Sequence, residues 1–213
     1  MSGSSVAAED YLKLIKELTD YQGYASLMQI SHQLGVARQT VYDEMEIMIQ
    51  RNLVKRINKG QYVLTKAGIV ESNRFLRKHM VAEILLWKGL KLRWSELDSE
   101  AMGIEHGMTE GIIEKVCEIH GCRTCPHGNL IPGPDGSVQE TDDFKLEPKT
   151  KYDKIVVSRV VYETPEILKF MENNNLFPGN TVIVDEDGRI RNIRGINYAE
   201  APEGFFNAVK FTY

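Results

Sequence analysis

The stretch "SEAMGIEHGMTEGI", residues 99–112, places Met102, Glu105 and His106 at i, i+3 and i+4. The spacing predicts one helix, with the three side chains on a common face. A thioether, a carboxylate and an imidazole gather there, and the stretch has no lysine or arginine to make a simple ion pair. The bland reading is a surface Glu-His pair beside a core methionine. Other donors shift the balance. Asp10 stands at the start of the first helical segment, His79 and Glu83 are four residues apart, and Cys125-Pro126-His127 lies in a loop. Mixed oxygen, nitrogen and sulfur donors suit Fe(II), Mn(II), Co(II), Ni(II) or Zn(II) better than Ca or Mg.

Catalysis is a weaker reading of the same residues. Cys125 and His127 are too close in sequence for the imidazole to be aimed at the sulfur. No nucleophile–base–orienter set and no phosphate loop can be found, so the chain reads as a non-enzyme. Cys122 and Cys125 form a lone CxxC pair, and a zinc knuckle would need a second one. Cys117, Cys122 and Cys125 are an odd number within nine residues, which does not look like a secreted disulfide framework. Reduced thiols and a cytoplasmic location are expected. No apolar run is long enough to span a membrane.

Three blocks must position these donors. "MSGSSVAAED" reads as a short lead into a helix, where "EDYLKLIKELT" carries Leu12, Ile15 and Leu18 on a stripe. Then Ser26 caps a helix with Leu27, Ile30 and Leu34 inside, a tight turn falls at Gly35, and a second helix buries Val41, Met45 and Met48/Ile49. "LVKRINKGQYVLT" follows as a hairpin turning at Lys59-Gly60. Helix, helix–turn–helix and hairpin, in that order, predict a winged helix-turn-helix over residues 1–74. Residues 1–78 carry a net charge of +3 and the remainder −7, a weak match to a nucleic-acid-binding head.

The second block, 75–140, is expected to be helical, in two long segments, "SNRFLRKHMVAEILLWKGL" and "WSELDSEAMGIEHGMTEGIIEKVCEIHG". Leu85, Leu86, Trp87, Leu90 and Trp94 are more apolar bulk than a unit this small can bury, so self-association is expected. Residues 141–150, with Pro148, read as a linker. The third block, 151–213, alternates with β period in short strands, which suggests a small barrel. "TPEILKFMENN" interrupts it as a helix with a capping threonine and Pro165 in its first turn.

With these pieces placed, the chain resembles the diphtheria toxin repressor family of iron- and manganese-dependent transcriptional repressors. The resemblance is carried by "EDYLK", "LGVARQTVYDEM", "RKHMVAEILL", "EAMGIEH" and "CPHGNLIPG". It runs from about residue 8 to the end. It implies a mainly α fold with a little β: a winged helix-turn-helix, a helical dimerisation domain and an SH3-like (FeoA-like) domain. It also implies a homodimer on double-stranded operator DNA and two metal sites per subunit, for Fe(II) or Mn(II). One site would use Asp10, Met102, Glu105 and His106. The other would use His79, Glu83, Cys125, His127 and Glu163, with Glu166 and Asp98 as further possible ligands.

Iron-responsive members usually carry methionine and cysteine at the positions of Asp10 and Met102, and manganese-responsive members aspartate and glutamate. This chain mixes the two, and its thioether favours Fe(II) over Mn(II). For DNA, the second helix of the turn unit should enter the major groove. Gln39 and Asp43 would read base edges, Arg38, Thr40 and Tyr42 would hold phosphates, and Lys59 would reach the backbone. The rival readings are a winged-helix regulator sensing Zn(II) or a non-metal signal, and a metal-handling enzyme or buffer that uses its winged domain for protein contacts.

Overall fold

The computed structural model describes residues 7–147 and 150–213. The lead at 1–6 and Pro148 lie outside the described residues. Two compact units are formed. One comprises residues 1–77 with 132–138, the other 78–131 with 139–213.

In the first unit, α1 (Ala8–Gln22) buries Leu12, Ile15 and Leu18 as the stripe requires. The Asp10 carboxylate accepts the Ala7 N–H at 2.9 Å, closing the first turn. The two-residue β1 (Ala25–Ser26) leads into α2 (Leu27–Leu34). Ser26 Oγ accepts from the Gln29 N–H, so Ser26 is the cap of α2. Gly35, at φ 65°, ends α2 in the left-handed region. The α3 helix (Arg38–Gln50) buries Val41, Met45 and Met48. Strands β2 (Val54–Asn58) and β3 (Gln61–Leu64) pair antiparallel around Lys59-Gly60, and β1 adds to the other side of β3. A longer helix, α4 (Lys66–Ile84), begins in this unit and ends in the second.

In the second unit α4 runs into a wider π-helical turn, Leu85–Gly89. Leu86 and Trp94 are buried, whereas Trp87, Leu90, Ile112 and Ile119 stay exposed in the single chain. The second predicted helix is broken. A 3-10 turn (Trp94–Glu96) precedes α5 (Leu97–Ile104), a second 3-10 turn (Glu105–Gly107) follows, and α6 (Glu110–His120) starts afresh. Gly103 and Gly107 weaken the helix, and Thr109 caps the next one by accepting the Ile112 N–H. Glu105 is buried and Met102 and His106 are exposed, while Glu105 and His106 keep one donor atom each within 4.8 Å of the other.

The expectation of reduced thiols is corrected at the end of α6. Cys117 sits in its last turn, and the turn through Gly121 brings Cys122 back beside it, where the two form a disulfide. Cys125 is the free, buried thiol.

The last part of this unit is an antiparallel sheet. Its strands are β4 (Tyr152–Val160), β5 (Thr181–Val184), β6 (Arg189–Asn192), β7 (Ala199–Glu200) and β8 (Val209–Thr212), in the order β7-β6-β5-β4-β8. Strands β7 and β8 are not neighbours, so among the described residues the sheet is open where a closed barrel was expected. A two-residue β7 offers too few backbone groups to close it. Helix α7 (Pro165–Asn173) begins as its sequence predicts, with Thr164 accepting the Ile167 N–H. A four-residue helix, α8 (Phe205–Ala208), precedes β8. Part of the segment read as a linker is tied to the sheet. Phe144 bridges to Phe211, and Asp143 pairs with Arg159 at 2.6 Å.

Among the described residues no helix is long and apolar enough to cross a membrane.

Candidate metal centre

The second unit brings Glu83, Cys125, His127 and Glu163 together. One donor atom from each lies within 4.8 Å of all the others. Three elements supply them: the end of α4, the 125–128 turn for two, and the loop between β4 and α7. The turn is closed by the Gly128 N–H donating to Cys125 O at 3.0 Å. It is tied to β4 by the Val160 N–H donating to His127 O at 2.9 Å.

Gly128 is required there. Its φ is +90°, and an added Cβ would lie 2.3 Å from Ser158 O. Gly128→Ala should destabilise the metal-free protein by about 1–3 kcal/mol and displace His127. A thermal melt in chelator checks this; an unchanged midpoint would show that the turn adapts freely.

His127 is fully buried and held on three sides. Trp94 packs edge-on at 4.5 Å between ring centroids. Nε2 lies 3.1 Å from Trp94 O, the arrangement of a donated hydrogen bond. The Trp94 indole N–H in turn donates to Pro126 O at 3.0 Å. Glu172 on α7 accepts from Ser95 Oγ at 2.8 Å and from Arg93, which fixes the 94–96 turn.

With its hydrogen on Nε2, a neutral His127 turns the lone pair of Nδ1 toward two carboxylates. Nδ1 lies 2.7 Å from Glu83 Oε1 and 2.6 Å from Glu163 Oε2. Even when protonated, one ring nitrogen offers a single hydrogen to these two acceptors. Glu83 Oε2 is buried and has no hydrogen-bond partner among the described residues, and the buried Glu163 Oε2 has the same His127 Nδ1 that already faces Glu83. Asn129 Nδ2, which donates to Val160 O, also reaches Glu163 Oε1 at 3.3 Å and so orients that carboxylate.

The charges are mutually dependent. Burial opposes ionisation of Glu83, but His127 and His79 hold its carboxyl well below the usual carboxylate range. Burial pushes Glu163 up to about 8; His127 opposes the rise and the Glu83 charge adds to it. Burial, then Glu83 and Glu163, push the Cys125 thiol well up. Burial disfavours the imidazolium of His127, yet Glu163 and Glu83 raise its pKa well above the ordinary value. Two buried carboxylates, a thiol and an imidazole nitrogen on one small volume fit a divalent transition metal.

His79 is buried beside this set. Its Nδ1 lies 2.5 Å from Glu105 Oε2, and its Nε2 faces Asp98 Oδ1 at 3.3 Å and Glu83 Oε1 at 3.6 Å. A hydrogen on Nδ1, shared with Glu105, leaves the Nε2 lone pair toward Asp98. His79, Asp98 and Glu163 form a second close donor group. Asp98 is thus brought in, whereas Glu166 is exposed in the first turn of α7 and belongs to no such group among the described residues. Asn129 and Trp94, which position the donors, were not singled out as site residues; an asparagine two residues past a donor histidine is the one local signal for the first.

Residues 65–133 match the family model of the iron dependent repressor, metal binding and dimerisation domain. The iron-dependent repressor IdeR of Mycobacterium leprae is 31% identical over 83% of this chain and 83% of its own length. This chain belongs to the diphtheria toxin repressor family of metal-dependent repressors. The crystal structure of T. acidophilum IdeR, a further repressor-family neighbour, has a TM-score of 0.91 at 43% identity, covering 98% of this chain and 99% of that one. The manganese regulator SloR shares the fold, with a TM-score of 0.77 at 24% identity over 98% and 99%. The IdeR sequences of Mycobacterium bovis and Mycobacterium tuberculosis match over 127 residues, and the chain spans 55% of their length.

In the first unit, Arg38, Gln39, Thr40, Tyr42 and Asp43 are exposed on α3, and Lys59 is exposed at the hairpin tip. Gln39 Nε2 donates to Asp43 Oδ1 at 2.7 Å. Arg56 lies over the Tyr42 ring at 5.8 Å and pairs with Glu46. Asp10 belongs to this unit, and Met102, Glu105 and His106 to the other.

Proposed function

We propose that this protein is a cytoplasmic, homodimeric repressor that binds operator DNA when loaded with Fe(II) or Mn(II), and so controls metal-homeostasis genes. The observation that carries the reading is the buried Glu83–Cys125–His127–Glu163 donor set, in which Glu83 Oε2 has no hydrogen-bond partner among the described residues and one His127 nitrogen faces two carboxylates, in a member of a metal-dependent repressor family. In this reading residues 1–74 are a winged helix-turn-helix, 75–140 the metal-binding and dimerisation domain, and 151–213 an SH3-like domain. The exposed apolar residues Trp87, Leu90, Ile112 and Ile119 support burial against a second copy.

Two metal sites are proposed. One is the set above joined by His79. The other draws on Asp10, Met102, Glu105 and His106, and rests on the sequence match. A bound divalent ion supplies the positive charge that lets these acidic groups be held together. Asp10 then constrains α1, and through it the helix α3 that presents Arg38, Gln39, Thr40, Tyr42 and Asp43. The spacing of the two α3 helices in a dimer must match the half-sites on DNA. A switch of this kind requires metal to prefer the DNA-competent arrangement.

The test is anaerobic fluorescence anisotropy on DNA from upstream of the protein's own gene, at fixed salt, with chelator and then Fe(II), Mn(II) and Zn(II). Tight binding only with metal is expected, and equal binding in chelator would defeat the reading. Metal affinity should also rise with pH. In the metal-free state Cys125 holds a proton, and the interacting His127–Glu163 pair holds protons as a unit, because burial and the neighbouring carboxylates raise their pKa values. Each proton displaced adds about a tenfold gain per pH unit until its pKa is passed. Calorimetric titration with Mn(II) between about pH 6 and 8 measures the slope; a flat profile would mean that these groups do not ligate.

A further inference from the structure

We infer that the centre in the second unit holds two divalent ions, not one, with Glu163 shared between them. The inference rests on the reading of Glu83, Cys125, His127 and Glu163 as a metal site and goes beyond it in number and in the role of Asp98. Glu163 belongs to two separate donor groups, Glu83–Cys125–His127–Glu163 and His79–Asp98–Glu163, each with its donor atoms within 4.8 Å of one another. First-row ions bind such donors at about 2.0–2.3 Å, so donors on opposite sides of one ion are up to about 4.6 Å apart. Each group has that span, and the six side chains do not together form one group so tight.

The lone-pair directions agree. His127 presents Nδ1 to its group because Nε2 is taken by Trp94 O, and His79 presents Nε2 because Nδ1 is taken by Glu105. The nearest carboxylate that each imidazole does not share with the other is different, Glu163 for His127 and Asp98 for His79, while Glu83 Oε1 lies 2.7 Å from the first ring and 3.6 Å from the second. A carboxylate has two oxygens, and pairs of ions about 3.5–4 Å apart are a common arrangement in metalloproteins.

Charge gives the second argument. As ligands, Glu83, Glu163, Asp98 and a Cys125 thiolate carry four negative charges. Two divalent ions neutralise them, whereas one leaves two excess charges among side chains of which Glu83 and His127 are fully buried. The groups also differ in character. The one with sulfur suits softer Fe(II) or Zn(II), and the His79–Asp98–Glu163 group accepts Mn(II) as readily.

The test uses the full chain carrying His106→Ala, which removes the separate site proposed around Asp10. The apo protein is loaded anaerobically with Co(II), desalted, and its metal counted by mass spectrometry. Two ions per chain are expected, with the sulfur-to-metal absorption band of a Cys125 ligand. Adding Asp98→Asn should remove one ion and keep that band; adding Cys125→Ser should remove the band. Circular dichroism of each variant checks the fold, and the Mn(II)-loaded protein should give a spin-coupled electron paramagnetic resonance signal. One ion per chain without spin coupling would overturn the shared centre and leave the metal-site reading standing. No ion at all would overturn both. Two ions retained in the Asp98→Asn variant would overturn the assignment of Asp98.

Discussion

Asp10→Ala and His106→Ala are each expected to lower the metal-stimulated affinity for operator DNA by about 100-fold, the upper range for coupling between two sites. Neither should greatly change the melting temperature of the metal-free protein. His106 is exposed in a short 3-10 turn, and the Asp10 carboxylate accepts the Ala7 N–H at the start of α1. That bond gives the control. Asp10→Asn keeps an oxygen acceptor for the first turn but is a poorer ligand, so it should melt like the wild type and still lose the metal response. Binding in chelator should be the same for all four proteins, because the residues of α3 are untouched. Normal metal-dependent binding by both alanine variants would remove Asp10 and His106 from the switch. The centre built on Glu83 and His127 would then have to act alone.

How far the sequence could reach is set by the range of each interaction. The Leu12–Ile15–Leu18 stripe, the Ser26 cap, the turn at Gly35, the Lys59-Gly60 hairpin and the Thr164-Pro165 helix start depend on neighbours within a few residues, and all were legible. The 99–112 helix was misread because periodicity outweighed punctuation: Gly103, Gly107 and the Thr109 cap end one helix and start another. Which of Met102, Glu105 and His106 is buried depends on His79, far along the chain, and no spacing rule contains it. The open sheet was missed for a related reason. Alternation specifies strands, but closure depends on whether the two edge strands are long enough to meet. Glu83, Cys125, His127 and Glu163 could be gathered only through the family resemblance, since they come from distant parts of the chain. The resemblance offers Asp98 and Glu166 alike as further ligands, and only the fold, which brings Asp98 Oδ1 to 3.3 Å from His79 Nε2, tells them apart. The disulfide was misjudged because cysteine count and inferred compartment say nothing about a helix end that folds Cys122 back onto Cys117.

The second large effect is expected at His127 without any metal. His127→Ala should destabilise the chelated protein by about 3–5 kcal/mol, the range for breaking a buried ionic pair from one side. Glu83 is fully buried, and its Oε1 accepts from His127 while its Oε2 has no hydrogen-bond partner among the described residues. Losing the imidazole leaves the buried Glu83 carboxylate beside Cys125, Glu163 and, at 3.6 Å, His79, and an empty space against the Trp94 ring. Two observations separate this cause from simple loss of volume. First, adding Glu83→Gln to His127→Ala should recover part of the stability, because the stranded charge is gone and the volume is not restored. Second, the gap between wild type and variant should narrow in acid. The Glu83 carboxyl is held well below its ordinary range in the wild type, so its contribution is present above the ordinary carboxylate pKa and is lost as pH falls through the lowered value. In the variant that contribution is already absent. Denaturant melts in chelator at neutral pH and down to about pH 3 read both effects. A gap that is the same at both pH values, and unaffected by Glu83→Gln, would mean that His127 stabilises the fold by packing against Trp94 and not by pairing with the donors it is positioned to complete.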